Sequence, residues 1–288
     1  MAWLAKHDRL RGRVIDAKYA IVDVLHEGAD GRLYHGEFIA TGEPVTILAL
    51  HPHVMHRGSA ADFTRLFGLA SKIRDDGVVR VLDHGEIEDG PFYLVMEPVC
   101  LSRPFWTDDD VVPSFERGVD VALQVLAALE VIHAHGLVHS GIDEEAIYVA
   151  DGDAGDRVKV LPCAFANRLD DIAPPIDMRR MTTYGAPPVR RLDSLVSRPI
   201  DARSDLHAVG MLLYVLLTGR PMHNGNNPTA FAMQLIYLDP PDPRVLVPTL
   251  PAAVAQIMMR AAAREPSGRF RTASAMSAAL RRAVGLDA

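Results

Sequence analysis

The stretch Ser204-Asp-Leu-His-Ala-Val-Gly-Met-Leu-Leu-Tyr-Val-Leu-Leu-Thr218 decides the architecture. It reads as a helix, and from Val209 to Leu217 it is apolar nearly all round rather than along one stripe. A helix without a polar face must be surrounded by other elements, so this one belongs at the centre of a domain. Its unbroken apolar run, Met211 to Leu217, is far shorter than the roughly 20 residues a membrane span needs. Downstream, helices are expected near 229–237, 252–262 and 273–284. Upstream, Ser114 is a plausible N-cap for a helix carrying Phe115, Val119, Ala122, Leu126 and Leu129 at helical spacing. The stretch from about 164 to 203 is irregular and rich in Pro, Arg and Asp, and so long a loop in a compact domain is usually functional.

The first hundred residues have a different character. Tyr19 to Leu25, Arg32 to Ile39 and Val45 to Leu50 are β-rich runs separated by glycine-bearing turns, Glu27-Gly-Ala-Asp-Gly31 and Thr41-Gly-Glu-Pro44. That alternation is the pattern of an antiparallel meander. One helix interrupts it around 60–73, with Phe63, Leu66, Phe67 and Ala70 on one stripe, and strands follow at 78–86 and 91–97. The expectation is an α+β fold of two lobes, a five-stranded antiparallel lobe with one helix and a mainly helical lobe. The boundaries read as an extension at 1–17, a first lobe at 18–97 and a second at 98–286.

Composition narrows the functional classes. The 288 residues carry 30 Lys+Arg against 37 Asp+Glu, a formal charge of -7. This chain lacks the cationic footprint that binding to nucleic acid or an anionic membrane requires. Cys100 and Cys163 are too few for a secreted disulfide framework. The first residues, Met-Ala-Trp-Leu-Ala-Lys-His-Asp-Arg, have no apolar core like that of a signal peptide, so a cytoplasmic location is expected.

Several motifs, in order, resemble the bacterial serine/threonine protein kinase family. Leu25-His-Glu-Gly-Ala-Asp-Gly-Arg-Leu-Tyr34 is similar to its glycine-rich loop, and Thr41-Gly-Glu-Pro-Val-Thr-Ile-Leu48 to its third strand. Phe92-Tyr-Leu-Val-Met-Glu97 resembles the strand entering the hinge, and His133-Ala-His-Gly-Leu-Val-His139 the run into the catalytic loop. Asp201 to Gly210, Leu217-Thr-Gly-Arg-Pro221 and Ala263-Arg-Glu-Pro-Ser-Gly-Arg269 resemble the central helix, its exit and the closing motif. The resemblance covers about residues 16 to 285.

Kinase chemistry needs a lysine on the phosphates, a glutamate orienting it, two metal-binding groups and a catalytic aspartate. By the resemblance, those positions fall on Leu48, Leu66, Ala146, Pro162 and Gly141, and the catalytic-loop lysine on Asp143. Two further acids follow, Glu144 and Glu145, where like charge would repel a triphosphate. In the nucleotide cleft, Gly28 and Gly31 remain in the loop, Met96 stands at the hinge, Thr46 replaces a small alanine over the adenine, and Tyr148 replaces a leucine beneath it. His139, Asp205 and Arg269 keep the family's framework side chains, while the glutamate that would pair with Arg269 is Pro188.

The expectation from these positions is a pseudokinase, not an enzyme. It would have no catalytic residues, no metal, and ATP and Mg binding absent or weak. It would act as a regulatory or scaffolding module for a protein partner, such as an active serine/threonine kinase or a phosphothreonine-binding protein, with no nucleic acid or membrane. Two alternatives stand beside it: a nucleotide-binding enzyme with rerouted, metal-dependent chemistry through Asp143, Glu144 or Glu145, and a sensor of another small molecule. Thr182 and Thr183, beside Arg179 and Arg180, and Thr272 are candidate phosphorylation sites. His51, His53 and His56 read as solvated histidines, Asp151, Asp153 and Asp156 as an acidic turn, and Cys163 as a small core residue.

Overall fold

Helix α3, Ala202–Thr218, is the one the sequence places at the centre, and its ends show why it starts and stops where it does. Asp201 caps it, accepting from the Arg203 N–H, and Ser204 returns a bond to the cap backbone, so orphan amides at that end are satisfied. Gly219 ends it at φ +69°, the left-handed turn that favours glycine. In this computed structural model, residues 10–28, 31–51, 60–87, 90–99, 103–104, 112–143, 146–150, 156–162, 167–168, 200–223 and 228–286 are described.

The amino-terminal lobe is built on an antiparallel sheet. Its strands are β1 (Val14–Ile15), β2 (Tyr19–Glu27), β3 (Gly31–Phe38), β4 (Glu43–Leu50), β5 (Val81–Glu86) and β6 (Phe92–Met96), in the order β1-β2-β3-β4-β6-β5. This corrects the expected five strands to six. The added strand, β1, has two residues, too short for any alternation to be read. It reaches β2 through Asp16 and Ala17, both at positive φ. The expected strand at 78–86 begins only at Val81, because Val78 bridges to Val160 and the Val79 N–H donates to the Val160 carbonyl at 2.9 Å. That exchange ties the sheet lobe to the helical lobe.

Both faces of the sheet are buried, and β4 sorts its residues between them by strand alternation. Val45, Ile47 and Ala49 join Ile15, Tyr19, Tyr34, Tyr93 and Val95 in an outer cluster. Leu48 and Leu50 face the other way, with Leu33, Leu94 and Met96, onto helix α1 (Ala60–Ala70) and its Phe63, Leu66 and Phe67. The outer cluster is rimmed by tyrosine–aspartate pairs: Tyr19 donates to Asp83 at 3.0 Å, and Tyr93 donates to Asp16. Burial, then the bond to Asp83, pushes the Tyr19 phenol up to about 12.

The inner cluster runs without interruption into the second lobe. There α2 (Phe115–Ala134) begins at Ser114, whose hydroxyl accepts from the Arg117 N–H at 3.2 Å. Helix α4 spans Pro228–Tyr237, α5 Ala252–Ala261 and α6 Ala273–Ala283. Helix α3 packs against α2 and α5. Gly210 sets how closely: a Cβ there would lie 2.6 Å from that of Ala261. Short antiparallel pairings complete the lobe, β9 (Ile147–Ala150) with β10 (Arg157–Val160) and with β7 (Arg103–Pro104), and β8 (Leu137–Val138) with β11 (Asn167–Arg168).

Candidate functional site at the junction of the lobes

The segment that follows β8 is anchored by one carboxylate. Asp205, 1% exposed on the first turn of α3, accepts the His139 N–H at Oδ2 (2.8 Å) and the Ser140 N–H at Oδ1 (2.7 Å). His133, on the last turn of α2, bonds the same carboxylate through Nε2 at 2.8 Å. Ser140 is thereby held at φ +59°, a conformation that costs an L-residue about 1–2 kcal/mol when nothing local favours it. The His139 ring reaches the Leu161 carbonyl at 2.7 Å, fastening the loop to the end of β10. The resemblance marks Asp205 and His139 as framework side chains, but not that His133 shares the Asp205 carboxylate. The pairing joins residues 72 apart, and no local pattern carries it.

Beyond this anchor, Gly141 and Ile142 are buried and Asp143 is half-buried. The Asp143 carboxylate accepts the Ala146 N–H at 3.0 Å, closing a local turn in the manner of an Asx motif. Ala146 is buried, its carbonyl taken by the Leu161 N–H at 2.8 Å, and Pro162 is buried next to it. Glu144, Glu145 and Cys163 lie outside the described residues, as do Thr182, Thr183 and Pro188. Among the described residues there is no group of three His, Cys, Asp or Glu side chains that could hold a metal ion.

The wall above is the inner face of β4. Thr46 is fully buried and pairs across the sheet with Met96, also fully buried. Its Oγ1 accepts the Val99 N–H at 3.0 Å, a contact the sequence does not reveal, although a buried threonine hydroxyl always needs a partner. Leu48 and Leu66 both belong to the apolar core that runs through the two lobes. Tyr148, on β9, is in that cluster too. Gly28 and Gly31 close the β2–β3 hairpin with a 2.9 Å backbone bond, and a Cβ at Gly31 would come within 2.5 Å of the Ala49 carbonyl. Across the junction, Lys159 of β10 donates to Glu97 at 2.6 Å.

Two further candidates stand apart from the junction. Arg269 is fully buried and donates to the carbonyls of Ala263 (2.7 Å), Arg264 (3.0 Å) and Arg203 (3.2 Å), fastening the chain before α6 to the start of α3. His207, one turn along α3, is driven well below the usual histidine range by burial, then by Arg269 and His223. Thr272 is exposed and caps α6, its hydroxyl accepting the Ala275 N–H at 3.1 Å.

An antiparallel sheet lobe with one helix, joined to a helical lobe whose central helix anchors a loop at the junction, defines the protein kinase fold. A family model described as the protein kinase domain matches residues 19–278, and the chain belongs to that family. Among its relatives, the serine/threonine-protein kinase pkn3 of Myxococcus xanthus is 29% identical over 286 residues, 95% of this chain and 51% of its own. The serine/threonine-protein kinase PksC of Streptomyces coelicolor is 30% identical over 93% of this chain and 49% of its own. The chain thus spans about half the length of these curated relatives. The PknI kinase domain of Mycobacterium tuberculosis superposes with a TM-score of 0.71 at 20% identity, covering 95% of this chain and 99% of that domain, and shares its fold.

These relatives correct two of the expectations drawn from sequence. Proteins similar to this chain over more than nine-tenths of its length are named as serine/threonine kinases, which speaks against the expectations of no enzyme and of no cofactor. The expectations of no enzyme and of no cofactor are withdrawn. Both had been drawn from individual side chains. Nucleotide sites also draw on backbone N–H groups and apolar walls, which a substitution at one aligned position does not remove.

Proposed function

We propose that this chain is a regulatory or scaffolding member of the serine/threonine kinase family, with a nucleotide-binding cleft between its lobes and a protein partner. The observation that carries the reading is the anchored loop: Asp205 fixes the backbone of His139 and Ser140 as firmly as a reaction loop requires, yet the next residue is Gly141. Leu48 and Leu66 in the apolar core, Ala146 and Pro162 buried, and Asp143 closing a turn all support it. The partner that fits is an active serine/threonine kinase or a phosphothreonine-binding protein, with Thr182, Thr183 or Thr272 as its phosphorylated contact.

The names of the relatives favour a second reading, an ATP- and metal-dependent kinase in which Asp143, Glu144 or Glu145 takes over a metal-holding role. Thermal unfolding with ATP and ADP, each with Mg, Mn or EDTA, run beside transfer of label from radiolabelled ATP, separates the two. Ligand at about 100 times its dissociation constant adds roughly 2.7 kcal/mol of stability. Stabilisation without label transfer supports the regulatory module. Metal-dependent transfer that Asp143→Asn abolishes establishes the second reading instead. No stabilisation by either nucleotide under any condition removes nucleotide from both.

A further inference from the structure

The hairpin that joins β1 to β2 carries an alanine where its geometry asks for glycine. The Lys18 N–H donates to the Ile15 carbonyl at 3.0 Å, and between them Asp16 lies at φ +49° and Ala17 at φ +52°. Two central residues at positive φ make a type I′ turn, and its second central place ordinarily belongs to glycine. Aspartate tolerates that conformation better than alanine, whose Cβ is pressed against the following carbonyl. A bond from outside the hairpin helps to hold it closed: Tyr93, buried on β6, donates to Asp16. The turn itself is exposed, and β1 is the edge strand of the sheet. The register of this hairpin is self-complementary. Val14 pairs with Ala20 and Ile15 with Tyr19, so the same ladder carried on through an opened turn sets Asp16 opposite Lys18 and Ala17 opposite itself. Ala17 then lies on a two-fold axis between two copies of the chain, with opposite charges facing each other on either side of it.

We infer that this chain pairs with a second copy of itself by exchanging β1 across the Asp16-Ala17 turn. In the exchanged dimer the β1 strand of each copy pairs with the β2 strand of the other, and each Ile15 fills the outer cluster of its neighbour as it fills its own in the closed form. Both Ala17 residues relax to extended backbone, and the ladder grows through the former turn. The two turns and the two Tyr93–Asp16 bonds are given up, together with the freedom of separate molecules. Exchange therefore depends on concentration, and Ala17 and Tyr93 bias it in opposite directions: the first strains the closed form and the second holds it. The inference does not rest on nucleotide binding or on phosphoryl transfer.

The test measures the monomer–dimer equilibrium of the full chain by sedimentation, after warming at a series of concentrations long enough for exchange. Wild type is expected to form a dimer. Ala17→Gly, which relieves both turns, is expected to weaken it about thirtyfold, equivalent to about 2 kcal/mol over the two turns. Tyr93→Phe, which removes the bond that favours closure, is expected to strengthen it about tenfold. A second measurement separates exchange from contact between closed copies. Val14→Cys and Ala20→Cys chains are mixed, warmed and oxidised, with wild type, which carries Cys100 and Cys163, as the blank. Exchange places the two new thiols opposite each other on different chains, so a disulfide-linked pair joining one chain of each kind is expected. Monomer alone in both wild type and Tyr93→Phe overturns the inference. A dimer unaffected by Ala17→Gly, or one that yields no such linked pair, overturns it as well.

Discussion

The two walls of the cleft each bury a polar side chain that holds backbone across a long sequence separation, but they do so with different strength. Below, Asp205 accepts two backbone N–H groups and a histidine at 2.7–2.8 Å, a charged acceptor with three donors on a rigid helix. Above, Thr46 accepts one N–H at 3.0 Å through a neutral hydroxyl. Charge-assisted bonds are roughly twice as strong as neutral ones, and losing a three-donor acceptor strands every donor at once. The lower wall is therefore locked and the upper wall adjustable.

The largest expected effect comes from breaking the locked wall. Asp205→Ala leaves two buried N–H groups and His133 without their carboxylate and should cost about 3–5 kcal/mol in urea unfolding. A loss below about 1 kcal/mol would mean that the loop is held elsewhere. Next is acid sensitivity beneath that wall. His207 stays neutral in the native state because burial, then Arg269 and His223, lowers its proton affinity, whereas in the unfolded chain it titrates near its ordinary value of about 6.5. The unfolded state therefore binds the extra proton as pH falls. The stability at stake is present above about pH 6.5 and is lost progressively as pH falls below it. His207→Gln should flatten that part of the pH profile, and an unchanged slope would assign it to other groups.

Smaller effects separate packing from propensity. Gly210→Ala gains about 1 kcal/mol of helix propensity but places a Cβ 2.6 Å from that of Ala261, so overpacking of about 1–3 kcal/mol should leave a net loss of about 1 kcal/mol. A more stable variant would show that α3 and α5 can separate cheaply. On the rim of the upper lobe, Tyr93→Phe removes the bond to Asp16 and should lower the urea midpoint by the equivalent of about 0.5–1 kcal/mol, the weakest of the four.

What was legible in the sequence was local. The all-round apolar run of α3, the alternation along β4, the Ser114 cap and the glycine turns each lie within a few residues, and each predicts its element because backbone geometry repeats over that distance. The ordered motifs carried the family as well, and with it the places of His139, Asp205 and Arg269. They did not carry the conclusion of no enzyme and no cofactor, which the relatives reversed.

The sequence by itself determined the central helix, the meander and the two-lobed order, because the period of apolar residues depends only on the chain's own repeat. Only the tertiary structure decided that Thr46 meets Val99, 53 residues away, that His133 shares the Asp205 carboxylate, that Tyr93 reaches Asp16, and that Gly210 must stay bare against Ala261. Those pairings obey no period. Each follows from which polar groups the packed elements bury side by side, and a buried donor or acceptor takes the partner that the fold brings to it.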